Sequence, residues 1–290
     1  MLYNDVYKSS HKTLDRYPLN DVDLTEKGIH LYRKLQAEIK HFQRLKQVDK
    51  ENLDYYNVGL IVHKGFVGSS VDVEKALKEF ENFEVAVSKN SNNILSMNRD
   101  KSRLLYNISL LIYPHIYKLI GGDEREVETK FRNNTFAQIV RNRPEDDDHQ
   151  KLMHLDTYFP AIKFWWFPKK VDDGPLMFAK GSTKSNEKMQ MWYYQQSVKA
   201  CKKEYEEWRA KDHYEGSFRV SEEELQEMGY EMEPIYVNED TLVIANVGGF
   251  HSRGNTKELN RRVAIHGSVR LDNPLGDTIY VKDILKSLSR

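Results

Sequence analysis

The sequence predicts an α+β protein, with a helical first part followed by an antiparallel β barrel or sandwich. Three observations carry this. Between Asp23 and about Gly121 the apolar residues recur at helical spacing. After Arg132 they gather instead into short runs rich in β-branched, aromatic and large apolar side chains. Most of those runs are separated by turns such as Asp172-Asp173-Gly174, Asn238-Glu239-Asp240 and Gly248-Gly249, with no regular helix between them.

The elements follow in order. Asp23 with Glu26 resembles a capping box, and Leu31, Leu35, Ile39 and Phe42 continue it as one helical stripe. Asp72 opens a shorter helix through Ala76, Leu77 and Phe80. After Asp100, Leu104, Ile108, Leu111, Ile112, Ile116 and Leu119 form the clearest stripe, ended by Gly121-Gly122. Pro114 is expected to bend or interrupt it. These helices read as scaffold. The predicted strands are Thr135 to Arg141, Leu152 to Phe159, Ala161 to Phe167, Pro175 to Ala179, Glu233 to Val237, Thr241 to Val247 and Arg262 to Leu271. A helical insertion from Ser185 to about Gly229 interrupts them, its second part opened by a Ser221–Glu224 capping box.

Composition narrows the function classes. Lys+Arg and Asp+Glu both number 44, so the formal charge is zero, which argues against a nucleic-acid binder. No apolar run reaches the roughly 18 residues of a membrane span, and the start has no secretory pattern. One cysteine, Cys201, excludes an internal disulfide framework. The expectation is a cytoplasmic protein with no membrane or nucleic-acid partner.

Chemistry is sought among the ten histidines. His-Glu-x-x-His, Walker, Gly-x-Ser-x-Gly and Gly-x-Gly-x-x-Gly motifs are all absent. His154-Leu155-Asp156 stands out, because in a strand residues i and i+2 share a face and an imidazole and a carboxylate would project together. His251, after Gly248-Gly249, is placed to supply a third ligand. Eleven residues on, Arg262 opens a run with sharp alternation: Val263, Ile265, Val269 and Leu271 on one face, Arg262, Ala264, His266, Ser268 and Arg270 on the other. Two histidines and one carboxylate with open positions form the site type of non-haem Fe(II) oxygenases, which can take a bidentate 2-oxo acid and then O₂. An arginine can grip the acid's far carboxylate through a two-pronged hydrogen bond.

In these pieces the chain resembles the phytanoyl-CoA dioxygenase-like branch of Fe(II)/2-oxoglutarate oxygenases. His154-x-Asp156, then Asp173-Gly174-Pro175-Leu176-Met177-Phe178-Ala179-Lys180-Gly181-Ser182-Thr183-Lys184, then His251-Ser252-Arg253-Gly254-Asn255 leading to Arg262 stand in the family's order. The resemblance covers about Asn133 to Leu271. It implies a double-stranded β-helix (jelly-roll, cupin-like) barrel in a single domain over 1–290. Within that domain 1–130 would be mainly helical support, 131–184 and 230–272 the barrel core, and 185–229 a helical insertion and candidate lid.

Residue by residue, the resemblance implies His154, Asp156 and His251 as iron ligands and Arg262 as the partner of the 2-oxoglutarate distal carboxylate. Arg261 is the competing candidate, but it points to the other face. Gln138 and Asn142 fall where related enzymes place polar groups near the co-substrate, and Trp165 or Trp166 where they place a pocket wall. Thr183 replaces the family's usual histidine, and Ala179-Lys180 its usual Ile/Val-Pro. Asp156 argues against halogenation, since halogenating members replace that carboxylate with a small residue. The implied cofactors are Fe(II), 2-oxoglutarate and O₂, acting on a small-molecule substrate by hydroxylation, desaturation or cyclisation. Lys163, Arg253, His266 and Arg270 could supply positive charge for an anionic one. A metal-binding barrel serving as sensor or binding module, and a Zn(II) hydrolase with the same ligands, are the alternatives.

Overall fold

The computed structural model describes residues 55, 57–81, 86–88, 91–98, 102–120, 123–144, 149–156, 161–201 and 218–270. The expected helix from Asp23 to Phe42 and the end of the last strand at Leu271 lie outside them. Among the described residues ten strands form two antiparallel sheets. The larger has the order β1-β8-β5-β10-β4-β3-β2: β1 Leu60–Lys64, β8 Thr241–Asn246, β5 Ala161–Phe167, β10 Asn260–Arg270, β4 Thr135–Asn142, β3 Ser91–Asn98 and β2 Ala86–Ser88. The smaller is β7-β6-β9: Glu233–Val237, Val171–Phe178 and His251–Arg253.

Alternation along the large sheet builds two different surfaces. On β10, Ile265 and Val269 are buried in a core that also takes Ala137 and Ile139 of β4, Phe164 and Trp166 of β5, and Leu242 and Ile244 of β8. Two helices cover this face, α2 (Arg103–Ile120) and α3 (Glu124–Asn133), through Leu105, Ile108, Ile112, Ile116, Val127 and Phe131. The opposite face carries Trp165, Phe167, Val243, Ala245 and Ala264, which share a second core with Val171, Phe178, Ile235 and Val237 of the small sheet. The two sheets therefore face one another, and the face of β10 expected to be polar is the one turned between them. Gly267 marks a close approach on β10, where a Cβ would come within 2.2 Å of the Phe164 ring.

Several expectations hold in detail. Asp72 caps α1 (Val73–Glu81) by accepting from Lys75 N. The insertion contains α4 (Glu187–Cys201) and α5 (Glu222–Glu227), the latter with the full Ser221–Glu224 capping box. Gly229 follows it at φ +84°, the left-handed stop that glycine suits.

Others need correcting. The mainly helical first part also contributes three strands that its spacing did not mark: β1 and β2 form the two edges of the large sheet, and β3 lies between β2 and β4. β1 is too short for its alternation to stand out, and pairing with β8 fixes it. α2 runs through Pro114 without interruption. The carbonyl that loses its bond there belongs to Leu110, a residue 43% exposed, so water can take the bond's place. α3 was not expected as a separate element; Asp123 caps it, and Glu126–Lys130 and Glu128–Arg132 pairs support it. The described part of the run expected from Leu152 to Phe159, residues 152–156, is not a strand. A 3₁₀ turn covers His149–Lys151, and His154 makes isolated bridges to Arg219 and His251.

Candidate metal centre

Although no strand carries it, the 153–156 segment is extended and pinned on three sides. His154 and His251 exchange both backbone hydrogen bonds, at 3.0 and 2.9 Å. Val220 N donates to Met153 O and Leu155 N to Phe218 O, while Asp156 N donates to Val247 O. Side chains 154 and 156 consequently share one side and Leu155 takes the other. Leu155 is fully buried in a third core with Phe250, Trp192, Tyr193, Phe218, Val220 and Leu225. Both histidine-bearing segments thus insert an apolar neighbour, Leu155 or Phe250, into a cluster built largely from the 185–229 insertion. The Ser182 hydroxyl adds a polar pin, accepting from Phe250 N at 2.8 Å and donating to Ala179 O. Here the sequence turn Ala179 to Thr183 shows its structural part.

On the other side three ligand-type groups converge. Oδ1 of Asp156 lies 3.5 Å from Nε2 of His154 and 3.5 Å from Nε2 of His251. The two imidazoles are 4.5 Å apart between centroids, and the three candidate donor atoms all lie within 4.8 Å of one another. Each ring is oriented through Nδ1, which sits 2.6 Å from Leu152 O in His154 and 3.0 Å from Gly249 O in His251. An Nδ1–H donated to a carbonyl leaves Nε2 as the lone-pair nitrogen, the arrangement that metal-binding histidines use. Nε2 of His251 is buried and makes no hydrogen bond. A buried, unsatisfied acceptor is costly, and a divalent cation at the convergence point would satisfy it. The donor set fits such an ion.

The electrostatics favour the ligating forms. Burial, with His251 and Arg219 nearby, lowers the His154 pKa to about 4, so the ring is neutral at pH 7. Burial alone would raise the Asp156 carboxyl. Lys163 and the two imidazoles outweigh it and hold the group well below the usual carboxylate range. Its Oδ2 is 2.5 Å from Lys163 Nζ and 3.0 Å from Arg270 Nη2.

His154 and His251 line a cavity of about 260 Å³ whose walls also include Gln138, Trp165, Arg253, Arg262 and His266. Arg262 lies on the cavity face of β10, donates from Nη1 to Gly174 O at 2.7 Å, and stands 5.9 Å over the Phe167 ring. Arg261 turns away, toward Phe80 O. Trp165 stacks on His266 with centroids 5.1 Å apart, whereas Trp166 is fully buried on the helix-covered face. Gln138 reaches the cavity. Asn142 does not: its amide donates to Asn260 Oδ1 and packs against Gly174. Burial and then Lys163 lower the His266 pKa to about 3, so this wall is a neutral imidazole.

Of the proposed cations, Lys163, Arg253 and His266 line the cavity, while Arg270 is half exposed and engaged with Asp156. None of the described residues of 185–229 lines it; Trp192, Tyr193, Phe218, Val220 and Leu225 pack instead with Leu155 and Phe250. Sequence reading missed Phe136 and Gln150 in the wall. Phe136 shares Gln138's strand face, so alternation could have found it; nothing marked Gln150.

Asp173 was also missed as a working residue. It accepts from the Thr256 hydroxyl, Lys257 N and Asn260 Nδ2, fixing the loop that leads to Arg262. Although desolvation opposes it, these bonds lower its pKa to about 2. With Gly254 N donating to Pro175 O, they lock the Asp173-Gly174-Pro175 turn to the His251–Arg262 segment.

No family model and no curated protein matches this chain. Several solved structures are similar to it at low identity. HygX from Streptomyces hygroscopicus, with nickel and 2-oxoglutarate bound, is 14% identical over 77% of this chain and 87% of its own, with a TM-score of 0.43. The epimerase SnoN, in complex with Fe³⁺, alpha ketoglutarate and nogalamycin RO, is 12% identical over 77% and 85%, with a TM-score of 0.45. EctD from S. alaskensis, in its apoform, is 10% identical over 80% and 81%, with a TM-score of 0.46.

Proposed function

We propose that this protein is an Fe(II)/2-oxoglutarate-dependent oxygenase of the phytanoyl-CoA dioxygenase-like type, built on a double-stranded β-helix. One observation carries the reading: two imidazole nitrogens and one carboxylate oxygen converge beside a cavity whose wall also holds an arginine. Facing antiparallel sheets with the cavity between them support the fold. Iron with 2-oxoglutarate and O₂ would supply the oxidising power, leaving succinate and CO₂ and a hydroxylated, desaturated or cyclised small molecule.

The chain's own part is positioning. His154, Asp156 and His251 would hold the metal. Arg262, fixed by Gly174 O and on the cavity face of β10, would meet the distal carboxylate of the co-substrate. Gln138 and Trp165 would shape its berth, and Phe136, Phe167 and Leu176 would exclude water. Arg253 in the cavity wall would favour an anionic substrate, Lys163 being paired with Asp156.

The test is anaerobic addition of Fe(II) and 2-oxoglutarate to metal-free protein, watching for the weak visible charge-transfer band of a chelated 2-oxo acid. The expected result is a band that is lost in Asp156→Ala and weakened in Arg262→Ala, with succinate release on admitting O₂. Iron-loaded, folded protein that gives no band would overturn the reading and direct attention to Zn(II) hydrolysis or to a binding module.

A further inference from the structure

The metal-facing carboxylate is unevenly engaged. Oδ1 of Asp156 faces only the two Nε2 atoms. Oδ2 faces away from them and is held by two cations, Lys163 Nζ at 2.5 Å and Arg270 Nη2 at 3.0 Å. The Asp156 side chain is 10% exposed and that of Lys163 18%, whereas that of Arg270 is 46% exposed and correspondingly screened. Lys163 is fixed in the middle of the large sheet, opposite Ser268 on β10 and Ala245 on β8, so the ammonium has little freedom to leave.

From this, and resting on the metal-site reading above, we infer that Lys163 is a positioning residue that keeps Asp156 a one-oxygen ligand. Oδ2 has two lone-pair sites, and the two cations take them. A metal ion reaching for Oδ2 would displace both donors and come close to their charges. Only Oδ1 is offered. The consequence would be a coordination count: with one donor from each of three residues, an ion held there would keep positions for a bidentate 2-oxo acid and for O₂. A carboxylate chelating through both oxygens would remove one of them. Lys163 therefore trades metal affinity for co-substrate access, at the cost of placing a positive charge beside a cation site.

This predicts effects of opposite sign, which a merely structural residue would not produce. Loss of an ordinary outer-shell partner weakens metal binding roughly 10–100-fold. In Lys163→Met, Oδ2 is released and a repelling charge is gone. Co(II), used as a redox-stable probe, should bind about tenfold more tightly than in wild type. The same variant, once Co(II)-loaded, should bind 2-oxoglutarate about tenfold more weakly. Its Co(II) visible spectrum without co-substrate should change in intensity, because the coordination changes. Lys163→Arg should restore all three readouts, and Arg270→Met should shift them in the same directions but less.

Weaker or unchanged Co(II) binding in folded Lys163→Met, or an unaltered Co(II) spectrum, would overturn the inference. Failure of wild-type protein to bind Co(II) at all would instead overturn the metal-site reading. If Lys163→Met does not fold, Arg270→Met decides by the sign of its two binding changes.

Discussion

Phe218→Ala tests whether the insertion is the foundation of the metal centre. The Phe218 ring is fully buried, 4.8 Å from Tyr193 and 6.3 Å from Trp192 between centroids, and its carbonyl accepts from Leu155 N between the two ligands. Removing a buried phenylalanine costs about 3–5 kcal/mol through lost transfer energy and the cavity left behind. Against a typical total of roughly 5–15 kcal/mol the fold survives. The melting temperature should fall by roughly 6–15 °C, at about 2–3 °C per kcal/mol for a chain of this size. Leu155 and Phe250 would then lose packing on the far side of His154 and His251, and Co(II) affinity measured on folded protein should drop about tenfold.

Ile108→Ala supplies the control. It empties an equally buried site in the core under α2, at a cost of about 2–5 kcal/mol. Its loss should leave Co(II) affinity unchanged, because that core contains neither ligand segment. Equal Co(II) affinities in the two variants at matched destabilisation would refute the reasoning. The apolar cluster would then be ordinary packing with no hold on the ligands.

Three further outcomes are expected. The buried imidazoles of His154 and His266 have folded pKa values of about 4 and about 3, below the unfolded value near 6.5. The unfolded chain therefore binds more protons, and their contribution is complete above about pH 6.5 and lost as the pH falls toward 3–4. Urea unfolding of metal-free protein should show that acid limb, and His266→Gln should flatten it. Asp240 sits at φ +50° and accepts from Trp166 Nε1, Val67 N and Gly68 N. Asp240→Ala strands three donors and should cost at least about 3 kcal/mol by chemical denaturation. Gly174 lies at φ +60°, and a Cβ there would meet Asn142 Nδ2 at 2.9 Å. Gly174→Ala should cost about 1–2 kcal/mol and, by shifting the carbonyl that fixes Arg262, weaken 2-oxoglutarate binding more than Co(II) binding in parallel titrations.

Much of the site was legible because its signals are local. His154 and Asp156 needed only a two-residue spacing in an extended chain, and that held even though the described part of the expected strand has only two isolated bridges, both at His154. The polar face of β10 was readable because a period of two survives whatever packs on either side. Arg262 and Arg261 were separable for the same reason. Asn142 was misplaced because alternation gives a face and not a position along it. Two pairs beyond Gln138, it has passed the end of the cavity and reached the Gly174 turn.

By itself the sequence determined the two textures of the chain and singled out His154, Asp156 and His251, the three residues that converge. Only tertiary structure decided what those pieces do to one another. Lys163 and Arg270, offered as cations for a substrate, meet on the second oxygen of Asp156, because β5 and β10 are neighbours in the sheet and lie far apart in the chain. Asp173 turns out to hold the loop before Arg262. The described part of the insertion packs against Leu155 and Phe250, the neighbours of Asp156, His154 and His251. Charge and hydrophobicity are properties of single residues, but what a charge neutralises, or which face an apolar helix covers, is set by strand order, which no local pattern encodes.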